Sequence, residues 1–370
     1  MSDAKVRVGM IGCGQIAQHH MRTYAQMSEN VQLVACCDLD KAAAKKSSAE
    51  FKIPNVYTDF RKMLKRDDLD AIDVCLHNNF HAPVSIAAME AAKHVFCEKP
   101  LAGSYADALS MVETSERLGV MLSMQLSSLF APETVAARRL VEEGRLGKVY
   151  YAKSSYYRRR GRCFVDGYGT TSFVRKDIAA GGALFDMGVY HIAQILYLLD
   201  NPDVLTMTGA AHQEVPMYEE RRAESGFDVE ELGVALVRLA GGVTFFVEEA
   251  WAVNLGGTDG SKLAGSLGGL SLQPLAYHTT IGDMEMDSEF RLESAQSRWK
   301  SCFPDRTFAL TSPQHHWVAA LQGRTELIPT ARIGLNTMLI SEGIYLSREL
   351  GREVTAEEVR ERSTSTAAEL

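Results

Sequence analysis

A chain of 370 residues exceeds one domain of about 150 residues, so two domains are expected. Its 46% hydrophobic and 23% charged residues, with 29 glycines and 10 prolines, exclude collagen-like, coiled-coil and wholly disordered chains. The 39 Lys+Arg against 47 Asp+Glu leave a net charge of −8, so no overall field attracts nucleic acid or an anionic membrane, and any basic site is local.

The first third alternates short apolar runs at 6–11, 31–37, 71–76, 94–97 and 120–125 with helical stretches at 15–28, 39–51, 60–66, 82–92 and 105–118. This is the rhythm of a parallel sheet with crossover helices. Turn signals at Gly12, Gly14, Pro54-Asn55, Asp67-Asp68, Pro100 and Gly119 separate the elements. Beyond Pro132 the pattern changes. A connecting helix at 132–143 leads to strand-like segments at 148–157, 207–213, 231–238, 243–253 and after Ser261, with one long helix inserted at 183–199. Strands that follow one another without helices predict an open, mostly antiparallel sheet. A further helix at 333–350 follows Pro329, and the end from Arg360 reads as a frayed tail.

Cys13, Cys36, Cys37, Cys75, Cys97, Cys163 and Cys302 lack the paired spacing that zinc needs, so they read as reduced, mostly buried residues and no metal is expected. The N-terminal residues lack the layout of a secretory signal, and no run reaches the roughly 18 apolar residues of a membrane helix. A cytoplasmic location is the expectation.

Gly12-Cys13-Gly14-Gln15-Ile16-Ala17 fits G-x-G-x-x-G/A between a predicted strand and a predicted helix. The first glycine allows a tight turn, the second lets the backbone approach a pyrophosphate, and Ala17 permits close packing of helix on strand. The phosphates of a dinucleotide would sit at the helix N-terminus, against Gly14, Gln15 and Ile16. Asp38, 26 residues after Gly12, ends the second strand where a carboxylate grips the adenosine ribose and repels a 2′-phosphate. Leu39 stands where an arginine would receive that phosphate, so NAD is expected over NADP. Asp38 has a second reading, as the cap of the following helix.

Two further segments, Asp73-Val74-Cys75-Leu76-His77-Asn78-Asn79-Phe80-His81 and Lys93-His94-Val95-Phe96-Cys97-Glu98-Lys99-Pro100, resemble the glucose–fructose oxidoreductase/inositol dehydrogenase family, Gfo/Idh/MocA. The likeness continues through Leu146 to Val149, Gly181 to Gly188, Trp251 with Asn254, Gly265 to Gly269 and the last long helix, covering nearly the whole chain. It implies an α/β protein: an N-terminal Rossmann domain over 1–130, then an α/β domain over 131–370 with an open, mostly antiparallel sheet for substrate binding and oligomerisation, its C-terminal helix free to pack back on the Rossmann domain. It also implies a nicotinamide cofactor and a homodimer or homotetramer. Lys99 is the expected catalytic lysine at the carboxyl edge of the parallel sheet, and Glu98 a cofactor contact. Leu76, His77, Asn79 and His81 would line the nicotinamide side of the cleft, and Gln125 would close it. Relatives often place an arginine shortly after that glutamine, and this chain has none there.

Relatives usually show Asp-x-Gly-x-His, whereas this chain reads Asp186-Met187-Gly188-Val189-Tyr190-His191. At about 100° per residue, Tyr190 lies roughly 40° from Asp186 and His191 about 140° away. Tyr190 is then the residue facing substrate, unless a π-bulge near Gly188 swings His191 inward. Either takes the hydroxyl proton in this reading, with Lys99 assisting and Asp186 orienting. The basic island Arg158-Arg159-Arg160-Gly161-Arg162 reads as a solvated loop or an inter-subunit contact, or else as a loop whose arginines hold substrate hydroxyls or an acid group. The leading expectation is an NAD-dependent dehydrogenase of a sugar, glycoside or cyclic polyol. The alternatives are a redox-neutral NAD-dependent glycoside hydrolase of the same family and a non-catalytic NAD-binding regulator.

Overall fold

The computed structural model describes residues 4–370. Its first layer is built from β1 (Val6–Ile11), α1 (Gln15–Gln26), β2 (Val31–Cys37), α2 (Lys41–Phe51), β3 (Asn55–Tyr57), α3 (Phe60–Leu64), β4 (Ala71–Val74), α4 (Asn78–Glu90), β5 (His94–Cys97), α5 (Tyr105–Leu118) and β6 (Leu122–Met124). The six strands are all parallel in the order β3-β2-β1-β4-β5-β6. That order reverses between β1 and β4, so a crevice opens at their carboxyl ends. β1 and β4 are buried almost throughout, as strands covered by helices on both faces must be.

The second layer follows α6 (Pro132–Glu142). It comprises β7 (Val149–Tyr157), α7 (Lys176–Ala179), a π-turn at Leu184–Gly188 that runs into α8 (Val189–Leu198), β8 (Val204–His212), α9 (Glu219–Ser225), β9 (Leu232–Leu239) and β10 (Val243–Ala250). β11 (Lys262–Gly265), β12 (Gly269–Leu272), β13 (Leu275–Ile281) and β14 (Met284–Glu289) extend it. The chain ends with α10 (Leu292–Cys302), α11 (Pro304–Ala309), α12 (Pro313–Leu321), α13 (Thr330–Leu350), β15 (Val354–Thr355) and α14 (Ala356–Arg362). Nine strands pair as β14-β13-β12-β11-β7-β10-β9-β8-β15, antiparallel except where β7 meets β10. The burial of β9 and β10 alternates residue by residue, because α8 and α13 cover one face only. The other face carries Lys153, Phe246, Leu236 and Val234, all only partly buried.

The expected α/β architecture is present, and four differences of detail bear on the site and the chain's end. β3 was read as a turn, because three residues carry too little pattern to show as a strand. Helices α10, α11 and α12 lie in a stretch where no helix was expected. Of these, α12 returns to the first layer, where Trp317 packs edge-on against Phe96 with ring centroids 5.5 Å apart. Residues 131–370 therefore do not stay wholly with the second sheet.

The third difference is α4, expected from residue 82 but beginning at Asn78, with Pro83 inside it. Proline has no N–H to give the carbonyl four residues back, here that of Asn79. That carbonyl accepts instead from the backbone N–H of Ala368. The fourth difference is the C-terminal segment, which straps back over α4 and α5. The end of the chain is not frayed: Ser365 Oγ and Thr366 N donate to the Asp107 carboxylate at 2.6 and 2.8 Å. Removing residues 363–370 should lower the melting temperature by about 3 °C or more, at roughly 1 kcal/mol per lost hydrogen bond; calorimetry checks this, and an unchanged transition would show the strap to be passive.

Candidate functional site

Gly12 closes the turn after β1 at φ +94°, where a Cβ would lie 2.1 Å from the Cys75 carbonyl oxygen. Gly14 is different. A Cβ there meets nothing within 4 Å, and Gly14 caps α1 with no side-chain hydrogen bond and no acid in the first turn. The free N–H groups at this helix end, beside exposed Gln15 and Ile16, are an open anion site. By contrast Asp40 caps α2, accepting from Ala42 N, so Asp38 is not that cap. Asp38 accepts from the backbone N–H of Cys13 at 2.8 Å and of Asp40 at 2.8 Å, bracing the glycine loop from the tip of β2. Leu39 beside it is 90% exposed, an apolar surface at the crevice with nothing covering it. These features fit a dinucleotide.

The β5 terminus carries Glu98-Lys99-Pro100 into the crevice. Glu98 was expected to touch cofactor, but its carboxylate is buried and turned inward. It accepts from His20 Nε2 at 2.9 Å and from the Lys99 backbone N–H at 2.9 Å. His20 Nδ1 bonds Asp73 at 2.9 Å, and Tyr24 donates to the same carboxylate at 2.7 Å. Burial opposes charge on His20, yet Asp73 outweighs it and raises the imidazole pKa well above its ordinary value. Cys75 completes the cluster. His20, Asp73 and Cys75 bring three ligand-type atoms within 4.8 Å, a grouping that cysteine spacing could not reveal. Cys75 donates to Asp73, and burial pushes its thiol pKa up, which favours a proton network there.

His81 requires a correction. It is fully buried, with Nδ1 2.7 Å from the Pro100 carbonyl and Nε2 3.1 Å from the Leu76 carbonyl. Burial lowers the His81 pKa, and the neutral ring donates to one of the two carbonyls while the other nitrogen also faces backbone, so His81 braces the Leu76 loop against the Lys99-Pro100 turn and aims neither nitrogen at the crevice. Asn79 faces the second layer: its Nδ2 lies 3.5 Å from the Asp177 carbonyl, while neighbouring Asn78 donates to the Ala179 carbonyl at 2.8 Å. His77 is exposed at the N-cap of α4 without a capping bond.

Lys99 Nζ reaches across to the second layer, donating to Asp186 Oδ1 at 2.7 Å and to the Asp186 carbonyl at 2.9 Å. Burial disfavours the ammonium, but Asp186 outweighs it and raises the Lys99 pKa. Burial likewise opposes charge on Asp186, and Lys99 together with the Trp251 indole holds it below the usual carboxylate range. Trp251 Nε1 donates to Oδ2 at 2.9 Å. The pair therefore stays ionised.

Asp186 lies within the π-turn, where the Val189 N–H bonds the Leu184 carbonyl, five residues back. The extra residue per turn changes the regular-helix angles by which Tyr190 alone faced the site. His191 is turned in: it stacks on Tyr156 with centroids 4.9 Å apart, and its Nδ1 bonds Glu249 at 2.9 Å. Glu249 is fully buried. Tyr190 lies under Lys99, whose Nζ is 5.2 Å from the ring centroid, and its hydroxyl donates to Gln125 at 3.4 Å. Burial pushes the Tyr190 phenol up to about 12. The turn depends on Glu230, which accepts from Gly182 N and Leu184 N at 2.9 Å each and from the Tyr345 hydroxyl. Gly188 lets Glu249 close in, since a Cβ there would sit 3.3 Å from its Cγ.

Sequence reasoning missed Glu249, His20, Asp73 and Glu230. A buried acid within a strand was the one signal that could have marked Glu249. Within the basic island the arginines divide. Arg162 is fully buried on Asp166 and Glu231, Arg159 and Arg160 are exposed, and Arg158 is partly buried at the cleft beside Tyr168.

Residues 6–126 match the model of an oxidoreductase family with an NAD-binding Rossmann fold, and residues 134–271 match the Gfo/Idh/MocA C-terminal domain. The D-glucoside 3-dehydrogenase of Escherichia coli (strain K12) is 27% identical over 361 residues, covering 96% of this chain and 98% of that protein. A glycosyl hydrolase family 109 protein of Shewanella sp. (strain W3-18-1) is 31% identical over 160 residues, covering 41% of this chain and 35% of that protein. A solved levoglucosan dehydrogenase in complex with NADH and levoglucosan shares the fold, with TM-score 0.78, 20% identity, and 95% of this chain and 100% of that one covered.

Two glycine variants separate folding from nucleotide binding. Gly12→Ala should lower both the melting temperature and NADH affinity, because its Cβ meets backbone at 2.1 Å. Gly14→Ala should leave the melting temperature within about 1 °C of the parent and weaken NADH by about tenfold or more, read by fluorescence titration. Unchanged affinity in Gly14→Ala would remove the pyrophosphate from this helix end.

Proposed function

This chain belongs to the Gfo/Idh/MocA oxidoreductase family, and from that premise we propose that it is an NAD-dependent dehydrogenase oxidising a secondary hydroxyl of a sugar, glycoside or cyclic polyol. The observation that carries the reading is two side-chain pairs anchored on consecutive helical turns, Asp186 with Lys99 of the first layer and His191 with buried Glu249. NAD, when bound at the glycine loop, supplies the hydride acceptor.

His191 is the general base. Its Nδ1 is held by Glu249, which fixes tautomer and orientation and leaves Nε2 for the substrate hydroxyl. Lys99 stays an ammonium, because Asp186 raises its pKa, and stabilises the developing alkoxide by donating a hydrogen bond. Asp186 orients Lys99 while Trp251 orients Asp186. With a phenol pushed up to about 12, Tyr190 keeps its proton, so it positions substrate beside Gln125. Asp38 at the tip of β2 disfavours a 2′-phosphate, which supports NAD over NADP. The open face of the nine-stranded sheet, with partly buried Phe246, Leu236 and Val234, supports pairing into a homodimer or homotetramer of a cytoplasmic enzyme.

The test is NADH formation by the purified protein with NAD against monosaccharides, cyclitols and aryl glycosides. Accumulation of NADH is expected; glycoside cleavage without it would establish the redox-neutral hydrolase instead, and a preference for NADP would refute the role of Asp38. Lys99→Ala and His191→Asn should each lose about 10²–10⁴ in kcat, and Glu249→Gln should alter the pH–rate profile. Tyr190→Phe should stay within about tenfold of the parent; a larger loss there with active His191→Asn would exchange their roles.

A further inference from the structure

The cleft holds one arginine that the scheme above does not use. Arg158 follows β7, and its stem crosses Gly161 so closely that a Cβ there would sit 2.4 Å from Arg158 Cδ. Its Nη1 donates to the Gly161 carbonyl at 3.2 Å and to the Tyr168 hydroxyl at 2.6 Å, and Tyr168 donates in turn to the Gly161 carbonyl. The guanidinium is thus oriented before any ligand arrives, over a tyrosine ring 5.6 Å away. Arg158 forms no ion pair with a carboxylate among the described residues, whereas buried Arg162 four residues on has two.

The charges around it identify what is missing. Burial works against the Arg158 charge, and Tyr168, Tyr156 and Asp186 support it. Asp186 is already paired with Lys99 at 2.7 Å. Cys163, whose Sγ is 4.0 Å from Asp186, lies within electrostatic reach of Lys99 and Arg158, and Tyr156, two residues before Arg158, stacks on His191. Glu249 is taken by His191, and Glu98 by His20. Two cations therefore share one carboxylate on the substrate side. A half-buried guanidinium fork lacking a counter-ion matches a carboxylate in geometry as well as charge.

We propose that Arg158 forms an anion subsite and that the sugar this enzyme oxidises carries a carboxylate, as a uronic acid or its glycoside does. The proposal rests on the dehydrogenase reading for the word oxidises, but not for the subsite itself. Calorimetric titration of the NADH-loaded protein with glucuronate and galacturonate, against glucose and galactose, tests the subsite without turnover. The acids should bind about tenfold or more tightly than their neutral parents, with an advantage that falls as salt rises.

Arg158→Gln should abolish that advantage while leaving neutral sugars within about threefold, and Arg158→Lys should retain part of it. Gly161→Ala, which displaces the arginine without deleting it, should weaken the acids alone. Circular dichroism and NADH affinity confirm that each variant is folded. Equal binding of acids and neutral sugars, failure of every acid to bind, or equal weakening of both classes in Arg158→Gln would each overturn the subsite. Tight acid binding without NADH formation from NAD would instead refute the dehydrogenase reading and keep the subsite.

Discussion

The ion pair between Lys99 and Asp186 joins the two layers at the crevice. One partner ends a strand of the parallel sheet and the other sits in a π-turn beside the antiparallel sheet, with side chains 14% and 21% exposed. Neither charge would be favourable so far from water alone, and each keeps its ionised state because the other is 2.7 Å away. The backbone on both sides is held accordingly. Glu98, fixed by His20, accepts from the Lys99 N–H, and His81 grips the Pro100 carbonyl. Across the gap, Glu230 caps the N–H groups of Gly182 and Leu184, and Trp251 holds the far oxygen of Asp186.

The same network reaches the opposite wall of the crevice through α1. Gly14 and the free amides open this helix, and His20 lies on it, between Asp73 and Glu98. The helix end suited to phosphates and the turn that carries Lys99 are therefore parts of one buried, hydrogen-bonded assembly. Tyr24 on the same helix adds a third tie to Asp73. Rigid support of this kind holds reacting groups in place more closely than loops alone.

Much of this was legible in the residues. The glycine loop stood out by type and spacing, and the Glu98-Lys99-Pro100 turn, Asp186 and the choice between Tyr190 and His191 by resemblance to the family. Other features were hidden for physical reasons. His81 has the chemistry of a ligand, and only its two carbonyl partners show it to be a brace. Glu98 looked available until its carboxylate turned inward onto His20. Glu249 and His20 are distant from their partners in sequence, so no local pattern could pair them. The terminal strap was hidden because its polar residues fit a solvated tail equally well, whereas Pro83 leaves the Asn79 carbonyl to receive Ala368.

From sequence alone, local structure was determined: parallel strands with crossover helices, a glycine turn that opens a helix, and an acidic end to the second strand. These follow from periodicity and from the special backbone freedom of glycine, which act within a few residues. Which histidine nitrogens are free, which acids are paired and which residue of the Tyr190-His191 doublet has a carboxylate behind it were decided by tertiary structure. The physical reason is that a side chain's charge and direction depend on partners far along the chain. A single π-turn, stabilised by Glu230 from a different segment, was enough to bring His191 to Glu249.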